Sequence, residues 1–403
     1  MSTNTMPEAP DNAGRHLRHV LTSTAAALGV RGFTNQLGIP PASIGVVVLA
    51  DGLGDQLLAA HSGHARFLAG AWRCRSSARI LDTGAPTTTA SSLASLGTGL
   101  SPGQHGLVGY DVFAPDVGRV VNMLGQWDDD VDPLTWQPYP TVFEQTAASG
   151  AKVLTSSRPQ FRDSALTRAA LRGGEFAGAE TLEQRFNLAA EWIRSKRPIP
   201  GSLQRGRPDP LMVYLYVDEL DKTGHRAGAG SEPWIRMLEA LDAAISRFSR
   251  QLSHDFGEQA TVLLTADHGM VNISEDCRID ITGRADLLEG VSHTGGEPRF
   301  LHLYAENARY TEHVAAQWRA VFGDQAWVMT RQQAMEEGWF GKVDQRVLPR
   351  IGDVLVAVHG ELALFHTERT GDAPLKMVGQ HGSLTEAERR VPLLELTARS
   401  LGG

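Results

Sequence analysis

Three apolar runs, Ile44–Ala50, Leu211–Val217 and residues 261–266, constrain this chain more than any other feature. They are continuous rather than alternating, the pattern of strands buried on both faces of a parallel sheet. Each is followed directly by an acid: Asp51, Asp218 and Asp267. Open α/β sheets keep their ligands outside the carboxyl ends of their strands, so acids delivered there from distant parts of the chain predict a site. The expected fold is α/β, a mostly parallel central sheet sandwiched by helices.

Between the strands the spacing supplies helices. Residues 20–30 predict an amphipathic first helix ending near Gly32; as a signal peptide the same run is short and broken by polar residues. Thr141 and Glu144 have the capping-box spacing at the head of a helix over 141–150, with a strand over 151–155 behind it. A further helix is expected over 181–195. Ser231 caps a long one with Pro233 in its first turn and Trp234, Leu238, Leu241, Ile245 and Phe248 on one face. Residues 300–304, 326–330 and 353–358 read as strands and 311–322 and 331–337 as helices. Thr385 and Glu388 form another capping-box pattern before a closing strand over 391–394. These assignments predict a flexible N-terminus, 1–14, a catalytic core over 15–290 and 366–403, and an inserted α+β subdomain over 291–365.

The formal charge of −8 argues against a surface that coats nucleic acid. Cys74 and Cys277 stand far apart, so neither a disulfide framework nor a thiolate metal site is expected. No run has the length and apolarity of a membrane span, and the cytoplasm is the expected compartment. The sequence carries no indication of oligomeric state. The acidic run Asp128-Asp129-Asp130 with Asp132 reads as a solvated loop.

Other residues carry chemistry. Thr89 follows Thr87 and Thr88 where a loop becomes a short helix closed by Gly97, and a helix start directs N–H groups and partial positive charge at an alkoxide or phosphate. Asp221 and His225 stand four apart, on one helical turn or in a tight loop closed at Gly224, and so suit one ion. Asp218 competes with Asp221 but lacks a Gly-His partner four residues on. Asp267-His268-Gly269 ends the third strand, and His381 lies in a glycine-rich loop. With Asp51 these make mixed Asp/His donor sets, the chemistry of zinc, with manganese or iron as alternatives. The glycine-rich stretch 97–110 ends without the Gly-Lys-Ser/Thr of a phosphate-binding loop.

In this order, an Asp after the first strand, a Thr before a helix, D-x-x-G-H, A-D-H-G-M and G-x-H-G, the chain resembles the alkaline phosphatase superfamily, in its type I phosphodiesterase/nucleotide pyrophosphatase branch. The likeness runs from about Ile44 to Leu394. It implies two divalent metal ions, one held by Asp51, Thr89, Asp267 and His268, the other by Asp221, His225 and His381. It further implies Thr89 as nucleophile, with Thr88 the alternative register, a phospho-threonine intermediate, and a small phosphorylated substrate. Two departures bear on that substrate. Tyr110 stands where diester-cleaving relatives carry an Asn, and a phenol there can donate one hydrogen bond to a phosphoryl oxygen. Ala90-Ser91-Ser92-Leu93 replaces the family's Phe-Pro-Asn-His, so the aromatic that stacks on a nucleotide is missing. The competing expectations are a phosphomonoesterase or phosphonate hydrolase on the same scaffold, and a metal-binding protein without turnover.

Overall fold

The computed structural model describes residues 8–10, 14–74, 78–125, 127, 129–197 and 209–396. Most of the expected flexible terminus, Asp128 and the last residues of the expected core, 397–403, lie outside them. A seven-stranded sheet runs in the order Ala78–Asp82, Arg390–Glu395, Ala260–Thr265, Ile44–Ala50, Leu211–Val217, Lys152–Ser157, Glu175–Gly178. Ile44–Ala50 pairs in parallel with both neighbours, and Lys152–Ser157 does likewise. Arg390–Glu395 is antiparallel to both strands beside it. The three central strands are buried at every position, so both faces must be covered. Helices His19–Ala27, Thr89–Thr98 and Val142–Ala148 pack together on the sheet, and Arg66–Arg73, Leu182–Lys196 and Glu232–Phe256 form the other group.

Several elements differ from expectation for local reasons. The first helix is buried nearly all round rather than amphipathic, since its polar groups find partners: Thr24 donates to the Val20 carbonyl at 2.7 Å and Ser23 accepts from the Leu37 amide at 3.1 Å. Gly97 does not stop its helix, which continues to a left-handed Gly99; a Cβ at Gly97 would run into the Ala170 carbonyl, so that glycine serves close packing. The glycine-rich stretch contains a one-turn helix, Pro102–His105, with its own capping box between Ser101 and Gln104. Asp132 caps the short helix Pro133–Trp136.

The stretch after the third central strand forms an antiparallel sheet in the order Val291–Glu297, Phe300–Ala305, Val354–Val358, Ala326–Thr330. It has an apolar cluster of its own, with Leu301, Leu303, Val356 and Trp318 among its members. The strand Val291–Glu297 escapes the periodicity because Ser292, His293, Thr294 and two glycines leave no apolar face to read. Among the described residues no helix is long and apolar enough to cross a membrane.

Candidate metal centre

Asp51 continues the central ladder by one bond, its amide donating to the Val217 carbonyl at 2.8 Å. Gly52 then turns with φ 76° and passes so close to Asp221 that a Cβ would lie 3.2 Å from its Cα. The Asp221–His225 spacing is realised on a helix, Glu219–Ala227. Its Gly224 is there for packing: a Cβ on Gly224 or on Gly379 would strike the sulfur of Met270. The D-x-x-G-H, A-D-H-G-M and G-x-H-G segments therefore interlock around one methionine, which brings their ligand-type residues together.

The three histidines share one hydrogen-bonding arrangement. His225 Nδ1 lies 2.8 Å from the Gly379 carbonyl, His268 Nδ1 2.9 Å from that of Gly269, and His381 Nδ1 2.9 Å from that of Thr87. A carbonyl only accepts, so each Nδ1 donates, and in the neutral ring each Nε2 is then left with a bare lone pair. The carboxylates are spent in the same way on one side only. Asp51 Oδ2 accepts from the Tyr216 phenol, and Asp267 Oδ1 accepts from the amides of Gly52 and His268 at 3.1 and 3.0 Å. Among the described residues, Asp51 Oδ1, Asp267 Oδ2 and Asp221 Oδ1 are buried with no hydrogen-bond partner.

These unspent atoms converge. His268 Nε2 lies 3.3 Å from Asp51 Oδ1 and 3.6 Å from Asp267 Oδ2, while Asp221 Oδ1 lies 3.3 Å from His225 Nε2 and 3.9 Å from His381 Nε2. Donor atoms of Asp51, Asp267 and His268 fall within 4.8 Å of one another, as do those of Asp221, His268 and His381. The rings of His268 and His381 stack at 3.6 Å between the two groups. Orphaned carboxylate oxygens beside bare imidazole nitrogens are a donor set for divalent cations, since a burial cost of this kind is relieved by a positive ion. Burial, then the charges of Asp267 and Asp221, push the Asp51 carboxyl well above its usual pKa. Burial, then His268 and His225, hold His381 well below the ordinary histidine value.

Thr89 is the first residue of the helix Thr89–Thr98, nearly buried, with its hydroxyl 3.1 Å from His268 Nε2. Thr87 faces away, donating to the Ser383 carbonyl at 2.8 Å, and the Thr88 hydroxyl lies beside the Glu297 carboxyl. Asp218 has no free oxygen to offer: Arg158 Nε donates to it at 2.7 and 2.8 Å and Lys222 pairs with it at 2.5 Å. Tyr110 and Thr89 line the same cavity, and burial raises the phenol pKa so that it keeps its proton.

That cavity also takes in Asp111, Glu297 and Arg369, the last held by the Asp111 carboxylate and by Thr294 at 3.1 Å. A second cavity, lined by Phe161, Phe176, Tyr216 and Lys222, meets the first at Thr89, Leu124 and Asp221. Tyr216, Glu297 and Arg369 have no mark in the sequence as site residues. The signal closest to one is Gly296-Glu297-Pro298-Arg299, two charges around a proline just before the apolar run 300–304.

The profile of the family described as type I phosphodiesterase / nucleotide pyrophosphatase matches residues 45–384. The venom phosphodiesterase CdcPDE of Crotalus durissus collilineatus is 24% identical over 233 residues, 56% of this chain and 26% of that protein. The chain thus spans about a quarter of the length of such curated relatives. Murine ectonucleotide pyrophosphatase / phosphodiesterase 5 superposes with a TM-score of 0.64 at 16% identity, over 86% of this chain and 87% of that one. The phosphonoacetate hydrolase of Sinorhizobium meliloti 1021 gives a TM-score of 0.64 at 20% identity, over 87% and 89%. Both are likenesses of fold.

The crowded carboxylates predict a pH dependence that can be isolated by substitution. A carboxyl whose folded pKa is raised contributes stability that is full below its unfolded value, about 3.9, and is lost as pH rises through the folded value. In the presence of chelator, Asp51→Asn will therefore match the wild type near pH 4 and exceed it by about 1–3 kcal/mol at pH 8, as measured by urea denaturation. A divalent cation that uses the Asp51 oxygen would reverse the order at pH 8.

Proposed function

The chain belongs to the type I phosphodiesterase / nucleotide pyrophosphatase family, and on that premise we propose that it is a two-metal hydrolase of phosphate diesters acting through Thr89. The observation that carries this reading is the position of Thr89: a hydroxyl at a helix start, 3.1 Å from His268, where two ligand groups and two cavities meet. Asp51, Asp267 and His268 with the Thr89 hydroxyl would hold one divalent ion, and Asp221, His225 and His381 the other. Zinc suits this donor set best, with manganese and iron the alternatives. Such a pair of ions lowers the pKa of a bound hydroxyl and neutralises charge on a leaving oxygen.

The chain's own groups account for the rest. The Thr89 hydroxyl gives its proton to solvent as its oxygen attacks phosphorus, and the bond to the ester oxygen breaks, the departing oxygen taking a proton from solvent and leaving phospho-Thr89. Water then attacks the same phosphorus from the opposite side and returns the threonine. Backbone N–H groups of the first helical turn face the phosphoryl group, and the protonated Tyr110 phenol donates to one of its oxygens in place of an amide. Cavities on both sides of Thr89 leave room for two ester arms, which favours a diester over a monoester.

One further observation favours a second reading. Arg369 lines the first cavity with Tyr110 and would face a free acid on the substrate, as a phosphonate bearing a carboxylate would require. In that case the same nucleophile cleaves a C–P bond.

Thr89→Ala will abolish turnover, by at least about a thousandfold, while bound metal, counted by elemental analysis, stays at the wild-type level; if Thr88→Ala is the inactive variant instead, the nucleophile is misassigned. Tyr110→Phe will lower kcat by roughly tenfold to a hundredfold with little change in KM; an unchanged kcat removes the phenol from the mechanism. The ratio of kcat/KM for bis-p-nitrophenyl phosphate to that for p-nitrophenyl phosphate will exceed about ten. A ratio below one shifts the reading to a monoesterase, and turnover of phosphonoacetate alone shifts it to a phosphonate hydrolase.

A further inference from the structure

Arg299 and Glu388 form an ion pair with no exposure on either side, far apart in sequence and outside the ligand groups. Arg299 lies in the turn between Val291–Glu297 and Phe300–Ala305; Glu388 lies in the short helix Glu386–Arg389. The pairing is bidentate, Nε to Oε1 at 2.7 Å and Nη2 to Oε2 at 2.9 Å, and Arg299 Nη1 donates to the Leu362 carbonyl at 2.6 Å. The capping box expected from Thr385 and Glu388 is not made. The Thr385 hydroxyl donates to the Glu388 carboxylate, which turns inward to Arg299 instead of back to the Thr385 amide.

A buried pair of this kind is weak support for stability, because desolvating two charges offsets their attraction. It does have a directional consequence. Glu388 Oε1 also accepts the Ser383 amide at 3.0 Å, two residues from His381. The Glu388 backbone carbonyl accepts the Gly269 amide at 2.7 Å, next to His268. One residue therefore touches both loops that carry ligand-type histidines, one loop by its side chain and the other by its backbone. On its far side the His381 loop is held by Thr87, whose hydroxyl accepts from the Gly382 amide at 3.1 Å and whose amide donates to the Gly382 carbonyl at 3.0 Å.

We propose that the Arg299–Glu388 pair is a positioning device for the metal group containing His381, setting that loop against Thr87 so that His381 Nε2 meets Asp221 and His225. The proposal rests on the two-metal reading above. It also separates the two groups: removing the Glu388 carboxylate frees the Ser383 amide, while the backbone bond to Gly269 survives. The Asp221–His225–His381 group loses its third donor's orientation, and the Asp51–Asp267–His268 group is kept.

Zinc titration of the full-length chain, by chelator competition, tests this with two variants. Glu388→Gln keeps the shape but breaks the charged fork. Since it leaves Arg299 uncompensated and can fail to fold, Arg299→Met with Glu388→Leu removes both charges together, a replacement that buried pairs often tolerate. For the double variant the metal-free melting temperature is expected to stay near the wild type. One zinc equivalent will bind about tenfold to a hundredfold more weakly, the other within about threefold, and the weakened equivalent will be the one that His225→Ala also weakens. A wild type with two equivalents and a folded double variant with both unchanged, or both weakened alike, overturns the positioning role alone. A wild type that binds fewer than two equivalents overturns the two-metal reading and this proposal together.

Discussion

The crowding of Asp51, Asp267 and Asp221 into one buried place is the constraint on which the rest of the structure depends. Asp51 and Asp267 are out of water and Asp221 is half-buried, and the charges of Asp267 and Asp221 raise the cost of charge on Asp51. Among the described residues each of the three keeps one oxygen without a hydrogen-bond partner. A fold tolerates such a cluster only where something else compensates it, and here the compensation is half built in. Tyr216 donates to one oxygen of Asp51, and two amides donate to one oxygen of Asp267. The other halves point at three imidazole nitrogens whose tautomers are set by backbone carbonyls. The protein has thus spent its own donors on the outer side of the cluster, and the inner side is a candidate site for cations.

Close backbone approach makes this crowding possible. Gly224 and Gly379 fit against the Met270 sulfur, and Gly54 and Gly269 pass each other beneath the Ala387 carbonyl. Side chains at these glycines would hold the ligand segments apart. The helix behind Thr89 follows the same logic: all ten of its residues are buried, and most are Ala, Ser, Thr or Gly. A helix of small residues can sit in the core with its first turn against the clustered Asp and His side chains. No aromatic directly follows Thr89, and the aromatic side chains that line the second cavity come instead from Phe161, Phe176 and Tyr216.

Much of this was legible beforehand, and particular residues show why. The strands Ile44–Ala50 and Leu211–Val217 were read to the residue because burial on both faces leaves an uninterrupted apolar run. Asp221 and His225 were readable because four-residue spacing has a fixed meaning on a helix. Glu388 shows where reading fails: a Thr and a Glu three apart signal a cap, but a buried Arg299 from a distant turn offers the carboxylate a stronger, charged partner. Gly97 reads as a helix stop because a glycine's usual local meaning is conformational, whereas in the fold its meaning is contact with Ala170. Val291–Glu297 was missed because its strand pairing depends on Phe300–Ala305 rather than on its own side chains.

The sequence by itself determined the central strands of the sheet but not Ala78–Asp82 or Glu175–Gly178, the order of the acids and histidines along it, and the family to which that order belongs, because strand burial and motif spacing are local and periodic. Only the tertiary structure decided that Asp218 is neutralised by Arg158 and Lys222 while Asp221 stays free, that all three histidines present Nε2, and that Thr89 rather than Thr87 faces them. It alone placed Tyr110 with Arg369 on one side of that threonine and an aromatic wall on the other. These outcomes turn on which distant group reaches a given oxygen or nitrogen first, a competition in three dimensions that spacing along a chain does not encode.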